Sequence, residues 1–288
     1  MPLALYSGTP QIAGMDDVPA YALLKSRALI AVSGPDWRGF LQGLISQDVE
    51  TLKPGEARFG ALLTPQGRLL YDLFLVGRED GCWLDVLAEH RDAIVQRLMM
   101  YRLRAKVQIA TDETPVSILY GIDADPGPGF VRDPRLPALG WRGYGASAPA
   151  RAVVADETAR DAAKLELGVP GPADWGSDRS YSIEANFDLL NGIDFKKGCY
   201  VGQETTSRMK RRGQIKSRML PIAFDGPPPS PGAEILTGTL RAGEVLSVGD
   251  GRAMALMRLD RAAAGALTVE GRPVTLERPA WFVEATGE

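Results

Sequence analysis

The part of the sequence best suited to chemistry is a cysteine set among glycines and lysines. Cys199 lies in the stretch KGCYVGQE, with Lys197 and Gly198 before it and Gly202 after it. Glycines allow close approach of the backbone, and a nearby ammonium group favours the thiolate, the reactive and metal-binding form of cysteine. A free cysteine is also often a small buried hydrophobic residue, so both interpretations stay open. Cys82, in an apolar run, is predicted to be structural.

The segment that contains Cys199 is strongly basic. From Lys196 to Arg218 there are eight Lys or Arg residues and one acid, Glu204, although the whole chain has a net charge of −3. Such a run is either a solvated basic face or a site for an anion, namely a polyglutamate tail, a phosphate or RNA. No aromatic residue lies between Thr205 and Arg218, which weakens the case for stacking on RNA bases.

Composition excludes several kinds of site. The 288 residues include two cysteines and one histidine, His90. A zinc cage of four Cys or His ligands cannot be built from one such chain, and no resident metal is predicted. The phosphate-binding patterns G-x-x-x-x-G-K-[ST] and G-x-G-x-x-G do not occur, which disfavours P-loop ATPases and Rossmann dehydrogenases. His90 is predicted to be a structural or surface residue.

The sequence around Cys199 resembles that of a known family. KGCYVGQE matches the signature K-G-C-[FY]-x-G-Q-E of the YgfZ family, folate-binding proteins related to the CAF17-type iron–sulfur assembly factor of mitochondria. The resemblance implies a tetrahydrofolate-binding accessory protein for the assembly or repair of 4Fe–4S clusters. Its partners would be iron–sulfur assembly proteins and 4Fe–4S client enzymes. Supporting pieces in family order are LLTPQGRLLYD (62–72), YRLRAKV (101–107), LELGVP (165–170), NFD (186–188) and R-x-K-x-R-G (208–213).

This family is in turn similar to the T-protein of the glycine cleavage system, a tetrahydrofolate-dependent aminomethyltransferase. The similarity implies an α+β fold of two α+β subdomains and a small C-terminal β-barrel around a central folate channel. It places a catalytic aspartate at Asp72 and a pterin-binding glutamate at Glu166, whose carboxylate suits the donor pair of a pterin. Cys199 and Lys197 would act at the channel mouth. Further candidate folate contacts are Tyr200, Gln203 and Arg208.

Other interpretations of these residues stay open. By pattern alone, Asp72 is a strand residue on a solvent face, and Glu166 is an exposed carboxylate near a helix end. One alternative function is a tetrahydrofolate-dependent aminomethyltransferase or demethylase that uses Asp72 and Glu166. The other is an RNA-binding module linked to tRNA modification, which would use the basic run Arg208–Arg218, although nucleic acid is the less favoured partner. Whether the chain is an enzyme is left open.

Hydrophobic periodicity and turn residues predict the elements that must position these side chains. We divide the chain into an N-terminal α+β region (1–115), a second α+β region with the KGCYVGQE motif (116–218) and a C-terminal barrel (219–288). In the first region, tight turns between strands predict an antiparallel meander with a helix on one face. Its predicted helices are Pro35–Leu44 and His90–Arg104, and its strands are Ala57–Leu63, Arg68–Val76, Cys82–Leu87 and Lys106–Ala110.

The second and third regions differ in the residues that separate their predicted elements. In the second, Val116–Ile122 is predicted as a strand and Gly127–Gly145 as a loop, and a helix is capped by Asp156 and ends at Gly168. In the third, short apolar runs are separated by Gly or Pro, which is typical of a small barrel. The predicted barrel strands are Leu220–Phe224, Ala233–Leu236, Gly243–Val248, Ala253–Met257 and Pro273–Leu276.

The sequence also carries an expectation about location. No apolar run approaches the roughly 20 residues of a membrane span, so no membrane partner is predicted. Residues Met1–Gly14 resemble neither a secretory signal nor an Arg- and Ser-rich leader, which favours a bacterial cytoplasm.

Overall fold

Two five-stranded sheets and a closed barrel make up the fold in a computed structural model, which describes residues 18–213 and 215–287. The strands are β1 (Ala20–Leu23), β2 (Arg27–Ser33), β3 (Ala57–Leu63), β4 (Leu69–Arg78), β5 (Gly81–Leu87), β6 (Gln108–Asp112), β7 (Val116–Tyr120), β8 (Phe130–Arg132), β9 (Trp141–Tyr144), β10 (Val153–Ala155), β11 (Ser217–Phe224), β12 (Glu234–Thr237), β13 (Leu240–Val248), β14 (Arg252–Arg258), β15 (Leu267–Val269) and β16 (Arg272–Leu276). The helices are α1 (Trp37–Gln42), α2 (Arg91–Arg102), α3 (Glu157–Glu166), α4 (Pro172–Trp175), α5 (Gln203–Arg212), α6 (Leu259–Ala262) and α7 (Ala280–Thr286).

The first sheet has the strand order β3-β4-β5-β2-β6, and all of its pairs are antiparallel. The predicted meander is therefore confirmed. Helix α2 covers one face, where Ile94 and Leu98 are buried in a core with Leu84. Phe59 and Phe74 lie in a separate core that includes residues of the barrel. Because both faces are covered, β3 and β4 are apolar along most of their length.

The second sheet has the order β10-β1-β7-β9-β8, so β1 joins strands that lie far from it in the sequence. The prediction of a loop across Gly127–Gly145 is wrong, because β8 and β9 lie within it. These strands are short, and a 3₁₀ turn over Pro137–Leu139 followed by Gly140 leads from β8 into β9. Gly140, with φ of 83°, lies so close to β7 that a Cβ would approach the carbonyl oxygen of Leu119 to 2.2 Å. The division of the chain into three regions stays a prediction.

The C-terminal strands close into a barrel in the order β11-β14-β13-β12-β15-β16. All five predicted strands of this region are confirmed, and β15 was missed. Leu220, Val245 and Phe282 are fully buried in the barrel core. Register shifts at Ile235/Leu236 and Val245/Ser247 mark bulges, which increase local twist and help a small sheet to close.

The helix ends follow the predicted chemistry where the sequence signals were clear. Asp156 caps α3 by accepting a hydrogen bond from the amide of Ala159 at 2.8 Å, and Gly168 follows the helix with φ of 66°. Helix α5 was not predicted. It lies between Gly202 and Gly213, which both have positive φ. Within the described ranges, no helix is both long and apolar enough to cross a membrane.

A buried ion network joins the two sheets. The carboxylate of Asp85 on β5 accepts hydrogen bonds from Arg27 Nε on β2 at 2.7 Å and from Arg142 Nη2 on β9 at 2.5 Å. The hydroxyl of Tyr144 donates to the same carboxylate at 3.0 Å. Arg27 also pairs with Asp72 at 3.0 Å. The network therefore links both sheets through charged hydrogen bonds in a dry environment.

The network extends within the second sheet to a further carboxylate. Asp133 pairs with Arg135 at 2.8 Å and lies 3.6 Å from Arg142. Burial alone would raise the pKa values of Asp85 and Asp133, but the neighbouring guanidinium groups lower both below their ordinary range. Both carboxylates are therefore charged at neutral pH, and every charge in the network has an opposite charge beside it.

We predict that Asp85→Asn destabilises the fold strongly, because it leaves the buried charges of Arg27 and Arg142 without their shared partner. The expected loss is about 3–5 kcal/mol in the free energy of unfolding, measured by urea denaturation. Asp260→Asn is the matched control, since Asp260 pairs with Arg258 on the surface, where solvent screens the pair, and its loss should cost far less.

The same substitution changes the pH dependence of stability. An aspartate with a lowered pKa in the folded protein stabilises it above the unfolded pKa of about 4, and this contribution is lost as the pH falls further. The slope of unfolding free energy against pH below about pH 4 should therefore be smaller in Asp85→Asn than in the wild type. Equal slopes, or equal losses for the Asp85 and Asp260 variants, would contradict this account of the network.

Candidate functional site

The thiol of Cys199 lies at the surface, in a loop before α5 that we call the thiol loop (residues 196–202). Cys199 is exposed and Cys82 is buried. The interpretation of Cys199 as a buried hydrophobic residue is therefore wrong, whereas the structural interpretation of Cys82 is confirmed. Burial raises the pKa of the Cys82 thiol far above its ordinary value. Cys199 is thus the thiol of this chain that can meet another molecule.

Lys197 is turned inward and fixes the thiol loop to helix α1. Its ammonium group donates to the carbonyl oxygens of Gln42 at 2.8 Å, Ile45 at 2.5 Å and Gln47 at 2.8 Å. These three acceptors match the three donors of a lysine. Burial lowers the pKa of Lys197 to about 8, so it is still charged at neutral pH. The contacts make Lys197 a positioning residue for the loop that carries Cys199.

Two glycines let the thiol loop lie against the turn between β3 and β4. Gly202 has φ of 83°, and a Cβ there would lie 2.4 Å from the carbonyl oxygen of Thr64. On the turn itself, a Cβ on Gly67 would lie 2.9 Å from the carbonyl oxygen of Gly202. The amide of Val201 donates to the carbonyl of Gly43 at 3.1 Å. The loop is therefore held on two sides by backbone contacts that larger residues would disrupt.

Tyr200 and Gln203, which were predicted to contact folate, have contacts within the protein. The Tyr200 side chain is buried, and its ring lies 5.1 Å from the ammonium group of Lys197. Gln203 Oε1 accepts a hydrogen bond from the amide of Tyr200 at 3.3 Å. Both residues therefore support the thiol loop.

His90 is partly buried, with its ring 5.0 Å from that of Tyr71.

The basic run is not a single surface. Arg218 is buried and makes a bidentate contact with Asp188, at 2.5 and 3.0 Å. Lys210 lies 3.7 Å from the same carboxylate and 5.4 Å from the centre of the exposed Phe195 ring. Arg218 and Lys197 therefore serve the fold. Among the basic side chains of this run that the structure describes, the exposed ones are Lys196, Arg208, Lys210, Arg211 and Lys216.

The residues predicted for folate lie on several elements. Asp72 is buried on β4 and paired with Arg27 in the ion network. Glu166 is exposed at the end of α3, near Arg252 of the barrel. Arg208 is exposed on α5, the helix that follows the thiol loop. A folate site made of these residues with Tyr200 and Gln203 stays a prediction.

The structure instead brings cations together where α3 faces the ion network. Arg160 and Lys164 have side chains that are 14% and 12% exposed, and they share one carboxylate, that of Asp161, at 3.1 and 3.3 Å. Arg160 Nε is buried and has no hydrogen-bond partner among the described residues. Burial lowers the pKa values of both cations, and neighbouring arginines of the network lower them further.

We call Arg160, Asp161 and Lys164 the central cation cluster. Its neighbours Arg135 and Arg142 lie over the ring of Phe74, with distances of 4.9 and 3.7 Å to the ring centre. An excess of buried positive charge beside aromatic rings can bind an anion. Sequence analysis missed this cluster. The spacing of Arg160 and Lys164 puts them on one face of α3, but the sequence does not show that this face points inward.

Comparison with known proteins agrees with the architecture. Residues 216–284 match the family model of the CAF17 C-terminal β-barrel domain. The fold is similar to that of glycine cleavage system aminomethyltransferase T from Bartonella henselae, with a TM-score of 0.75 and 19% identity over 93% of this chain and 87% of that one. The predicted α+β fold with a C-terminal barrel is therefore confirmed.

Proteins with similar sequences over most of this chain share the name of one assembly factor. The chain is 30% identical to the mitochondrial iron–sulfur cluster assembly factor IBA57 homolog of Mycosarcoma maydis, over 80% of this chain and 65% of that protein. It is 29% identical to mitochondrial IBA57 of Mus musculus, over 82% of this chain and 76% of that protein. It is 34% identical to the homolog of Pyricularia oryzae, over 71% of this chain and 57% of that protein. It thus spans roughly half to two thirds of the fungal relatives.

The chain is thus similar to CAF17-type proteins, as the resemblance predicted, whereas the narrower YgfZ assignment stays a prediction. The prediction of a bacterial cytoplasmic protein is wrong by the same comparisons, because the relatives are named as mitochondrial proteins. That prediction depended on the composition of Met1–Gly14, which lies outside the described residues and does not determine location.

We predict that Lys197→Met loosens the thiol loop and destabilises the protein. The substitution leaves three carbonyl oxygens without their shared donor, which costs about 1–3 kcal/mol in the free energy of unfolding. Urea denaturation measures the loss, and the rate of Cys199 alkylation measures the loosening. Lys196→Met, next to it and exposed, should change stability by less than about 0.5 kcal/mol. Equal effects of the two substitutions would show that the inward contacts do not hold the loop.

Proposed function

We propose that this CAF17-related chain, similar to IBA57 proteins over most of its length, is an iron–sulfur cluster assembly factor. Its work would be the assembly or repair of 4Fe–4S clusters on partner proteins. The similarity to proteins with that name supports the proposal. The observation that supports a particular site for this work is the exposed thiol of Cys199 on an anchored loop.

The thiol suits this work as a single ligand. Iron–sulfur clusters are held by cysteine thiolates, so the thiol loses its proton to solvent and binds iron as the thiolate. Cys82 is buried in the core of the first sheet, so Cys199 offers one sulfur and the other ligands must come from the partner. The cluster would then be handled at the junction of two proteins, with Lys197 holding the loop in place.

We further propose that the protein binds tetrahydrofolate, and that the central cation cluster supplies the anion-binding part of that site. Of the residues first predicted for folate, Glu166 and Arg208 are exposed on two different helices, α3 and α5. The cluster fits better, because a folate carries carboxylates and Arg160 has a buried donor without a partner among the described residues. When bound, folate would supply one-carbon chemistry, and the chain's own residues would hold its charge.

The two alternative functions receive less support. An aminomethyltransferase or demethylase needs a free acid–base group, and the Asp72 carboxylate is engaged with Arg27 at 3.0 Å. The likeness to an aminomethyltransferase, at 19% identity, concerns the fold alone. An RNA-binding module on Arg208–Arg218 would lose Arg218, which is buried against Asp188. We therefore propose neither of them.

The assembly role is tested by complementation. In cells from which the gene is deleted, the wild-type protein should restore the activity of a 4Fe–4S enzyme under oxidative stress, and Cys199→Ala should not, because the ligand is lost. Cys82→Ala is the control, since it removes the other thiol but leaves Cys199 in place. Normal enzyme activity in the deletion strain would refute the assembly role. Restoration by Cys199→Ala would refute the role of the thiol.

The folate site is tested by titration calorimetry with tetrahydrofolate. Arg160→Gln and Lys164→Gln should each weaken binding by about tenfold or more, because a hydrogen bond to a charged group contributes roughly 1.5–3 kcal/mol. Glu166→Gln and Arg208→Gln serve as controls that should leave affinity unchanged. Absence of binding to the wild-type protein would refute the folate proposal. Loss of affinity only in the Glu166 and Arg208 variants would move the site away from the cluster.

A further inference from the structure

The carboxyl end of α2 exposes several large apolar side chains side by side. Met99 is 42% exposed, Met100 67% and Tyr101 38%, and Leu103 just after the helix is 87% exposed. The opposite face of the helix is already packed, with Ile94 and Leu98 fully buried. The exposed residues are therefore an apolar surface in addition to the face that the fold uses. We call these four residues the α2 patch.

The backbone keeps the end of this patch turned outward. Leu103 has φ of 42°, a left-handed conformation that is uncommon for a residue with a side chain. It ends α2 there and reverses the chain toward β6. Leu103 thus remains in solvent, although a leucine side chain gains free energy on burial. A contiguous apolar surface of this kind is typical of a protein or membrane contact.

Cations surround the α2 patch. Arg97, Arg102, Arg104 and Lys106 form no ion pair with any described carboxylate. Arg97 instead lies over the ring of Tyr101, 5.6 Å from its centre. An open groove of about 340 Å³ beside the patch is lined by Arg102, Arg104 and Lys106, together with Gly34 and Pro35. The patch therefore has an apolar centre and a rim of four cations without ion pairs among the described residues, beside one carboxylate, that of Asp36, which accepts a hydrogen bond from the amide of Lys106 at 2.7 Å.

The α2 patch is continuous with the thiol loop. A shallow depression on the surface is lined by Arg97, Leu98 and Tyr101 of α2 and by Val201 of the thiol loop. Val201 is close in sequence to Cys199. A molecule seated on the patch would therefore extend to the loop that presents the thiol.

We propose that the α2 patch is the docking surface for an acidic protein partner, the one whose cluster is handled at Cys199. This inference rests on the proposed function, which it extends by naming the surface that holds the partner. The partner would place apolar side chains on Met100 and Leu103 and carboxylates against the rim. Complementary charge of this kind speeds association and fixes orientation, and buried apolar side chains at the centre of an interface supply most of its affinity.

The charge of the rim argues against a second copy of the chain as occupant. A symmetric pair would bring the same surface of both copies together and set Arg102, Arg104 and Lys106 against themselves. An anionic membrane shares the charge preference, but the adjacent thiol requires a partner that carries ligands for iron. We therefore favour a protein, and the membrane and the second copy become outcomes of the test.

The test uses the full chain in the deletion strain. Met100→Glu with Leu103→Glu removes the apolar centre, and Arg102→Glu with Arg104→Glu reverses the rim. The matched controls are Leu240→Glu, at a barrel residue that is 59% exposed, and Arg151→Glu. Urea denaturation and the alkylation rate of Cys199 show whether each variant is folded and presents its thiol. A photoreactive benzoylphenylalanine at the Met100 position then identifies the neighbouring molecule by mass spectrometry.

We expect both double variants to keep wild-type stability and thiol reactivity yet to restore at least about tenfold less 4Fe–4S enzyme activity, the size of effect expected for central interface contacts. The controls should restore it fully. The crosslink should join position 100 to an acidic segment of an iron–sulfur protein or assembly protein, and its yield should fall in the rim variant.

Three results would overturn the docking proposal. One is full restoration by both double variants. The second is a crosslink to a second copy, with a dimer in light scattering. The third is flotation of the protein with phosphatidylserine vesicles that the double variants abolish, together with crosslinks to lipid alone. Each is distinct from failure of the proposed function, in which the wild-type protein itself restores no activity.

Discussion

The fold depends on the shared use of one buried carboxylate by two arginines. Asp85 lies on the first sheet, and the guanidinium groups of Arg27 and Arg142 reach it from two sheets. Taking these ions out of water is costly unless each is paired and hydrogen-bonded, so the positions of the sheets are fixed by the geometry of the network. Phe74 adds an apolar surface on which Arg142 stacks at 3.7 Å. Everything at the centre of the molecule, including the central cation cluster, is arranged around this junction.

The thiol loop is arranged by different forces. It carries no buried ion pair of its own, and it is held by carbonyl groups around Lys197 and by the close approach of Gly202 to the turn between β3 and β4. These contacts immobilise the backbone and leave the sulfur atom in solvent. The molecule thus has a charged, hydrogen-bonded centre and, apart from it, an exposed thiol on an anchored loop. The α2 patch lies beside the second of these.

Sequence patterns predict the elements with strong local signals. The barrel strands were predictable because each is a short apolar run bounded by Gly or Pro, and Asp156 and Gly168 gave the ends of α3. The strands within Gly127–Gly145 were missed because they are as short as turns and are stabilised by pairing, β9 with β7 and β8 with β9. The burial of Arg160 could not be predicted, because helical spacing says which residues share a face and not which face is covered. The exposure of Cys199 was undetermined for the same reason, since glycine neighbours suit both a buried and a presented thiol.

The contacts of Lys197 have a consequence for how the molecule acquires its working state. Its ammonium group joins residues separated by 150 to 155 positions along the chain. Contacts between residues so far apart in the sequence require the closure of a long loop, which has an entropic cost. They therefore form only when the intervening chain is already organised. All strands of the two sheets except β1 and β2 lie within that interval. A nascent or partly folded chain therefore holds a sulfur atom without a defined position, and only the completed molecule presents it in one place. The position of the sulfur atom thereby depends on the integrity of the whole fold.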